Sequence, residues 1–569
     1  MRERPCLSQV TPYTVPSHSR QGKIRMDSNE SALGCSPRVV EALQAVTSEQ
    51  ISCYPEVCEL KTQIAVHNDV SPKNILITSG ADDAIRSIFD TFLEPEDRVI
   101  LPVPTFSLFE ILASIRGASI TTVLYQEDFS FPTDRVLNTL TGDPALIIIV
   151  SPNNPTGTCI NEDQLHNILN NAPDCLVLLD ETYHHFTDGS FVGLISEYDN
   201  LIVLHSFSKA YGLAGIRLGV IFSSPPLISS IQKVVMPYPV SSLAVIAGCA
   251  ALEDQEYLIY AVNSIITERQ FLASELEKIN VPVCMTDTNF LLMHLGDEIQ
   301  WISQELRKFN ILIRQLTTYP LLSDYARITV RTRSENVLLI EALKSILPPE
   351  ALLFDMDGVL VEVSESYIRA IKETAEQILG ESIKREEIQQ YKEKGGFNND
   401  WDLTEAIIRS RGVSVEKKSI IDTFQKIYRG TQWNGVIQNE QWILDQAIIR
   451  QLHEKYPLGI VTGRPREEAL YALDRFGMKK YFPVVVTLED VPREEKPHPR
   501  GIQKALDALK AKRALYVGDT IDDVRAARAA GIVPVVITSS DAPAVLEPLL
   551  EAGAVYLIPS VNDIVEVLP

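Results

Sequence analysis

The sequence predicts an α/β protein made of two successive units, each built on a mostly parallel sheet with helices on its faces. Three observations carry this reading. First, apolar runs recur at 75–78, 99–101, 145–150, 175–179 and 201–204, and stretches at helical spacing, such as Ala84, Ile85 and Ile88, lie between them. Strands alternating with helices give a doubly wound sheet. Second, several runs end in polar or glycine turns, the position at which open α/β sheets bind ligands. Third, the pattern restarts at Ala351 to Phe354, just after Pro348-Pro349, with further strands at 458–461 and 515–517.

The elements follow in order. Residues 1–30 are rich in proline and polar residues and read as an extended arm, either a surface tail or a closure over a site. Pro37 to Val46 has helical spacing, and Cys53-Tyr54-Pro55 is a turn. The strand at 75–78 runs into Ser79-Gly80-Ala81-Asp82-Asp83 and then a helix. Backbone N–H groups and the helix dipole at such a turn suit a phosphate, though many α/β turns look alike. Phe106 follows the strand at 99–101; it can stack on a flat ring or sit in the core. The strand at 145–150 feeds Ser151-Pro152-Asn153-Asn154-Pro155, and that at 175–179 ends in Asp180-Glu181-Thr182-Tyr183. Beyond Pro237 the chain is mainly helical to about Ile279. A smaller α/β region follows, with Arg314 and Arg327 beside strand residues, a pair suited to clamping anionic groups. Leu347-Pro348-Pro349-Glu350 is a short, stiff junction. The expected organisation is therefore an arm over 1–30, one enzyme over 31–349 and a second over 350–569, with a helix-rich insert at about 365–450.

At 569 residues the chain is too long for a single core, and 45% hydrophobic with 22% charged residues is ordinary globular composition. A net charge of −23 argues against nucleic acid or an anionic membrane as the main partner. No apolar core follows Met1-Arg2-Glu3-Arg4-Pro5 and no run is long enough to span a bilayer, so a cytoplasmic protein is expected. The eight cysteines form no C-x-x-C pair, which favours scattered reduced thiols.

The most specific stretch is Ser206-Phe207-Ser208-Lys209-Ala210-Tyr211-Gly212-Leu213-Ala214-Gly215-Ile216-Arg217. A lone lysine is usually a solvated surface group. This one follows a buried strand, can condense with a carbonyl, and stands among Ser206, Ser208 and Arg217, which can hold a phosphate. Those are the requirements of pyridoxal phosphate. With Gly80-Ala81-Asp82, Phe106, Asn154-Pro155-Thr156-Gly157, Asp180, Tyr183 and Arg327 in order, residues 8 to 346 resemble the fold type I aminotransferases. Thr11-Pro12-Tyr13, Ser28-Asn29-Glu30, Tyr54-Pro55 and the Arg314/Arg327 pair resemble the histidinol-phosphate aminotransferase family within them. The resemblance implies a large doubly wound domain with a small α/β domain. It makes Lys209 the catalytic lysine and Asp180 the partner of the cofactor's ring nitrogen. Asn154 and Tyr183 bind the ring hydroxyl, and Phe106 stacks on the ring where the family commonly has tyrosine. Ala81, Asp82, Ser206, Ser208 and Arg217 hold the cofactor phosphate. Arg327 takes the substrate carboxylate, and Arg314 and Tyr13 its phosphate. Tyr54 reaches the partner's cofactor phosphate, which implies a homodimer.

In the second unit, Asp355-Met356-Asp357-Gly358 follows a buried strand. One carboxylate there can attack phosphorus and the other can serve as general acid and base, with Mg²⁺ offsetting the charge. Alone, D-x-D is more often a solvated turn. Here Thr462-Gly463-Arg464-Pro465, Lys496-Pro497 and Gly518-Asp519-Thr520-Ile521-Asp522-Asp523 follow, and the segment from Ala351 onward resembles the haloacid dehalogenase superfamily of phosphatases. That implies a Rossmann-like core with a helical cap. It makes Asp355 the nucleophile, Asp357 the acid/base, and Thr462 and Lys496 the phosphoryl-binding pair. Asp355, Asp357, Asp519 and Asp523 form the metal site. In the insert, Asn399, Asp400 or Trp401 is a candidate contact to the substrate's organic part; an ordinary helix connection is an equal reading.

The two resemblances together imply successive steps on one compound: transamination of imidazole acetol phosphate with glutamate, then hydrolysis of histidinol phosphate. Fusion alone points to that second substrate, since fold does not set substrate. Aromatic amino acids, another phosphorylated amine, a related decarboxylation, or one half without turnover are the competing readings.

Overall fold

The computed structural model describes residues 4, 6–7, 10–12, 20–393, 400–538 and 543–568. The chain falls into two compact units, Met1–Leu343 and Lys344–Pro569. Among the described residues, no helix is long and apolar enough to cross a membrane.

The first unit begins with a short strand, β1 (Ile24–Met26), and then forms a seven-stranded sheet. Its strands are β2 (Ile75–Thr78), β3 (Arg98–Val103), β4 (Ser119–Leu124), β5 (Leu146–Val150), β6 (Leu176–Asp180), β7 (Leu201–Ser206) and β8 (Gly219–Ser223). They are ordered β2-β8-β7-β6-β5-β3-β4. Every pairing is parallel except those of β8, which runs antiparallel to β2 and β7. Strands covered by helices on both faces read as continuous apolar runs. Accordingly β5, β7 and β8 are buried along their full length. Successive residues alternate between the two faces. Thus Val177, Leu179 and Val203 join one apolar cluster, and Leu178, Ile202 and Leu204 join another.

A second, five-stranded sheet is ordered β1-β11-β12-β10-β9, with β9 (Val283–Cys284), β10 (Phe290–His294), β11 (Ile311–Gln315) and β12 (Tyr325–Thr329). The arm therefore contributes a strand: Ile24–Met26 lies parallel to Ile311–Ile313. Three residues carry too little periodicity to be read as a strand. The edge strand β4, with mixed exposure, was equally silent.

The second unit has a six-stranded, fully parallel sheet. Its strands are β13 (Ala351–Phe354), β16 (Leu458–Val461), β17 (Val484–Val486), β18 (Ala514–Gly518), β19 (Val533–Ile537) and β20 (Tyr556–Ile558), ordered β17-β16-β13-β18-β19-β20. A small antiparallel pair, β14 (Val361–Glu362) and β15 (Gln441–Trp442), brackets the helical insert. The insert contains helices Tyr367–Leu379, Arg385–Glu393, Asp400–Ser410 and Lys417–Tyr428. Leu403, Ile407, Phe424 and Tyr428 are fully buried there. At the entry to β13, Glu350 accepts from the Lys512 N–H at 2.7 Å and pairs with Arg513 at 3.2 Å, which anchors the junction to the segment before β18.

Candidate active sites

The first site is a cavity of about 440 Å³ at the ends of β5, β6 and β7. Its lining includes Ala81, Asp82, Phe106, Asn154, Asp180, Tyr183, Ser206, Ser208, Lys209, Arg217, Arg314 and Arg327. Residues from both sheets of the unit thus converge on one space. Tyr54 lies elsewhere; it is 74% exposed and stacks on Tyr238 with ring centroids 4.0 Å apart. Tyr13 lies outside the described residues.

Each part has a local cause. Asp180 is the last residue of β6 and is buried. Burial pushes its carboxyl up to about 6, against the Thr182 N–H and hydroxyl, which donate to Oδ1 at 2.9 and 2.6 Å. A buried carboxylate of this kind suits a cationic ring nitrogen. Lys209 sits just beyond β7, with Nζ 3.5 Å from the Ser28 carbonyl and 5.6 Å from the Tyr183 ring centre. The helix Gly80–Phe92 starts at the cavity, with Ala81 and Asp82 in its first turn. Gly80 has φ +81°, and a Cβ there would lie 2.7 Å from Arg217 Nη2. Arg217, itself at φ +59°, bonds Asp82 at 2.8 Å. Free N–H groups at a helix start and a guanidinium beside a glycine make a cradle for a phosphate. The donor set fits pyridoxal phosphate: an aspartate for the ring nitrogen, a lysine for the aldehyde carbon and an anion cradle.

Arg314 and Arg327 are direct partners on the antiparallel strands β11 and β12. Like charges directly opposite each other destabilise a sheet. Arg327 Nη1 bonds Asn154 Oδ1 at 2.5 Å and Nη2 bonds the Asp27 carbonyl at 2.9 Å. The particular partners of the arm's polar groups are not legible in local sequence pattern. Asn29 is buried and donates to the Tyr183 hydroxyl at 2.8 Å, while Asn289 donates to the Asn29 carbonyl at 3.0 Å.

In the second unit, the loops after β13, β16 and β18 meet. Asp355, Asp519 and Asp523 each offer a carboxylate oxygen, all within 4.8 Å of one another. Oxygen-only donors of this charge suit a hard cation such as Mg²⁺. Lys496 lies 3.0 Å from Asp355 and 2.7 Å from Asp523. Burial pushes the Asp355 carboxyl up to about 7, with Lys496 opposing. Burial also acts upward on Asp523, but Lys496 and Thr520 hold it below its ordinary value. Gly358, at φ +73°, has no room for a Cβ, which would lie 2.2 Å from Asp519 Oδ2. Thr462 is buried, and its hydroxyl accepts the Arg464 N–H at 3.2 Å.

Asp357 stands outside that carboxylate group. Its Oδ1 accepts from Arg464 Nε at 2.6 Å. Arg464 is fully buried and makes two further bonds of 3.1 Å to Glu440. Glu440 also accepts from Ser366 at 3.1 Å and Tyr428 at 2.8 Å. Arg464 was visible in the Thr-Gly-Arg-Pro motif without a role. Glu440 carried no sequence signal, because its importance comes from burial. Of the insert loop, residues 394–399 lie outside the described residues; Asp400 and Trp401 line a small cavity beside Asp357.

The sheet order, the added small sheet and the lysine and aspartate sharing one cavity place the first unit among the fold type I aminotransferases. Residues 21–343 match the aminotransferase class I and II family model, and the chain belongs to that family. Residues 352–537 match the haloacid dehalogenase-like hydrolase model, so one chain carries an aminotransferase and a hydrolase domain. Histidinol-phosphate aminotransferase of Methanocella arvoryzae is 34% identical over 57% of this chain and 90% of its own length. That of Ruminiclostridium cellulolyticum is 32% identical over 58% of this chain and 95% of its own. The crystal structure of histidinol-phosphate aminotransferase from Sinorhizobium meliloti in complex with pyridoxal-5'-phosphate superimposes with TM-score 0.56. It is 26% identical, covering 60% of this chain and 96% of that one.

Proposed function

We propose that the chain is a bifunctional enzyme of histidine biosynthesis. Its first domain exchanges the amino group between glutamate and imidazole acetol phosphate, with pyridoxal phosphate as cofactor. Its second hydrolyses the product, histidinol phosphate, to histidinol with Mg²⁺. The observation that carries the reading is the Arg314/Arg327 pair, two cations on neighbouring strands at the Lys209 cavity. Such a pair is tolerable in a sheet when an anionic ligand occupies the space it faces. The names of the relatives support this substrate class.

Bound pyridoxal phosphate would supply the electron sink for a carbanion at the substrate Cα. Lys209 Nζ takes the proton from the substrate Cα and holds it for return. Asp180 holds the ring-nitrogen proton. Arg217, Ser206, Ser208 and the backbone at Ala81 and Asp82 hold the cofactor phosphate, and Asn154 and Tyr183 orient the ring hydroxyl. Arg327 binds the carboxylate of glutamate; Arg314 and Tyr13 bind the phosphate of the other substrate. Tyr54 and Tyr238 are 74% and 53% exposed, in keeping with a homodimer in which Tyr54 reaches the partner's site.

In the second domain the Asp355 carboxylate attacks phosphorus and expels the alkoxide, which takes a proton from Asp357. Asp357 then removes a proton from water, whose oxygen attacks the aspartyl phosphate, releasing phosphate and restoring Asp355. Lys496 and Thr462 steady the phosphoryl oxygens, and Mg²⁺ on Asp355, Asp519 and Asp523 would offset their charge.

The test is phosphate release from L-histidinol phosphate with Mg²⁺, and glutamate formation when 2-oxoglutarate is added. Phosphate release well above that from generic esters and abolished in Asp355→Asn supports the second activity. Glutamate formation lost in Lys209→Ala supports the first. Cleavage of generic esters but not of histidinol phosphate sinks the histidine assignment of the second domain.

A further inference from the structure

Glu181 and His205 are the chain neighbours of Asp180 and Ser206, but neither lines the Lys209 cavity. The strand period explains this, because successive side chains point to opposite faces of a sheet. Asp180 closes β6 and Ser206 closes β7, so Glu181 and His205 project behind the sheet. The Glu181 N–H carries the ladder one step further, donating to the Leu204 carbonyl at 2.9 Å.

Behind the sheet the two side chains meet. His205 Nε2 lies 2.9 Å from Glu181 Oε2, and both residues are buried. Burial pushes the His205 imidazole down to about 3, so it is neutral and its Nε2–H donates to the carboxylate. The Ser190 hydroxyl donates to the same oxygen, and the Phe191 N–H donates to Oε1 at 2.8 Å. His184 stacks on His205 with ring centroids 3.7 Å apart, and its Nδ1–H donates to the Glu181 carbonyl at 2.8 Å. Side-chain packing is thin here: a cavity of about 320 Å³ opens behind the strand ends, lined by His184, His185, Ser190 and His205 among others. The bond between Glu181 and His205 therefore ties β6 to β7 where apolar contact does not. No step of the proposed reaction uses either group.

We propose that Glu181 and His205 are positioning residues of the first domain: their bond behind the sheet fixes the spacing of Asp180 and Ser206, which hold the ring nitrogen and the phosphate of pyridoxal phosphate. A site holds its ligand in productive geometry only when the groups behind it are themselves held. This deepens, and rests on, the reading of the first domain as a pyridoxal-phosphate aminotransferase.

The experiment uses the full chain, stripped of cofactor and titrated with pyridoxal phosphate. His205→Phe keeps a ring to stack on His184 but loses the N–H. Its affinity for the cofactor should fall roughly tenfold or more, the scale of one hydrogen bond to a charged group. The ³¹P resonance and the absorbance of the bound cofactor should both move, since phosphate and ring nitrogen are displaced. At saturating cofactor, kcat for glutamate formation should fall roughly tenfold or more. KM for L-histidinol phosphate and 2-oxoglutarate should stay within about twofold, because Arg314 and Arg327 stand on the other sheet. His205→Gln, which restores an N–H donor, should recover most of the loss. Glu181→Gln combined with His205→Phe should cost no more than His205→Phe alone, because the two residues act as one unit. Unchanged affinity, resonance and kcat in His205→Phe overturn the proposal, as does equal loss in the Phe and Gln variants. Weaker binding with an unmoved resonance and absorbance also overturns it, since that is lost stability alone. All three results leave the aminotransferase reading intact. Should the wild-type chain bind no pyridoxal phosphate, or form glutamate equally without Lys209, that reading falls and the proposal with it.

Discussion

Asp180 carries a testable pH signature. Its carboxyl is raised by burial to about 6 in the folded chain, above its unfolded value near 3.8. The native state therefore binds more protons than the unfolded chain between these values. The stabilisation this group contributes is full below about pH 4 and is lost as pH rises through about 6. In cofactor-free protein, melting of the Asp180→Asn variant compared with wild type should diverge across that window, with the variant relatively more stable at pH 7. An unchanged difference from pH 4 to 7 would show that Asp180 does not titrate there. The same substitution should weaken pyridoxal phosphate binding, because a neutral amide cannot hold a pyridinium proton. Arg464 behaves in the opposite sense. Removing one partner of a buried ionic set leaves the others uncompensated, at a cost of about 3–5 kcal/mol. Arg464→Met should lower the stability of the second domain on that scale in denaturant unfolding, since Glu440 is almost fully buried.

At the scale of elements, the start of the helix Gly80–Phe92 is set by a residue without a side chain. Gly80→Ala places a Cβ 2.7 Å from Arg217 Nη2 in a backbone conformation at φ +81°. Arg217 is flexible at its end, so it swings away and the fold survives. The expected result is pyridoxal phosphate binding weakened roughly tenfold or more, the loss of one charged phosphate contact, read by absorbance titration, with a lowered melting temperature from the strained backbone. Gly358→Ala is harsher, because the added Cβ meets Asp519 Oδ2 at 2.2 Å. Phosphate release should become far less responsive to Mg²⁺, as shown by a titration of the metal. The helix and strand ends that carry these residues were legible in the sequence. Strand β6 ends at Asp180, and the apolar run before it sets that end. Local pattern shows the arm as extended, a tail or a closure over a site, and its pairing with Ile311–Ile313 comes from a contact nearly 290 residues away in the chain.

At the scale of the whole molecule, the two chemistries use separate residue sets in two compact units. Lys209→Ala should therefore keep phosphate release near wild type, and Asp355→Asn should keep glutamate formation near wild type. Neither variant alone should convert imidazole acetol phosphate and glutamate to histidinol, whereas a mixture of the two should. Failure of the mixture, with each single activity intact, would mean that the second step depends on the first within one chain. The net charge of −23 does not oppose binding of phosphorylated substrates, because arginines and backbone N–H groups supply local positive potential.

The sequence by itself determined the class of each domain and named the candidate reactive groups. Lys209, Asp180, Asp355, Asp357 and Asp519 sit at strand ends or in glycine-bearing turns, and local chain geometry fixes such positions. Tertiary structure decided what surrounds them. The contact of Asn29 with Tyr183 and the bridge from Asp357 through Arg464 to Glu440 join residues far apart in the chain. The physical reason is that periodicity and turn chemistry act over a few residues. Burial, which decides whether a charge must find a partner, is a property of the packed whole.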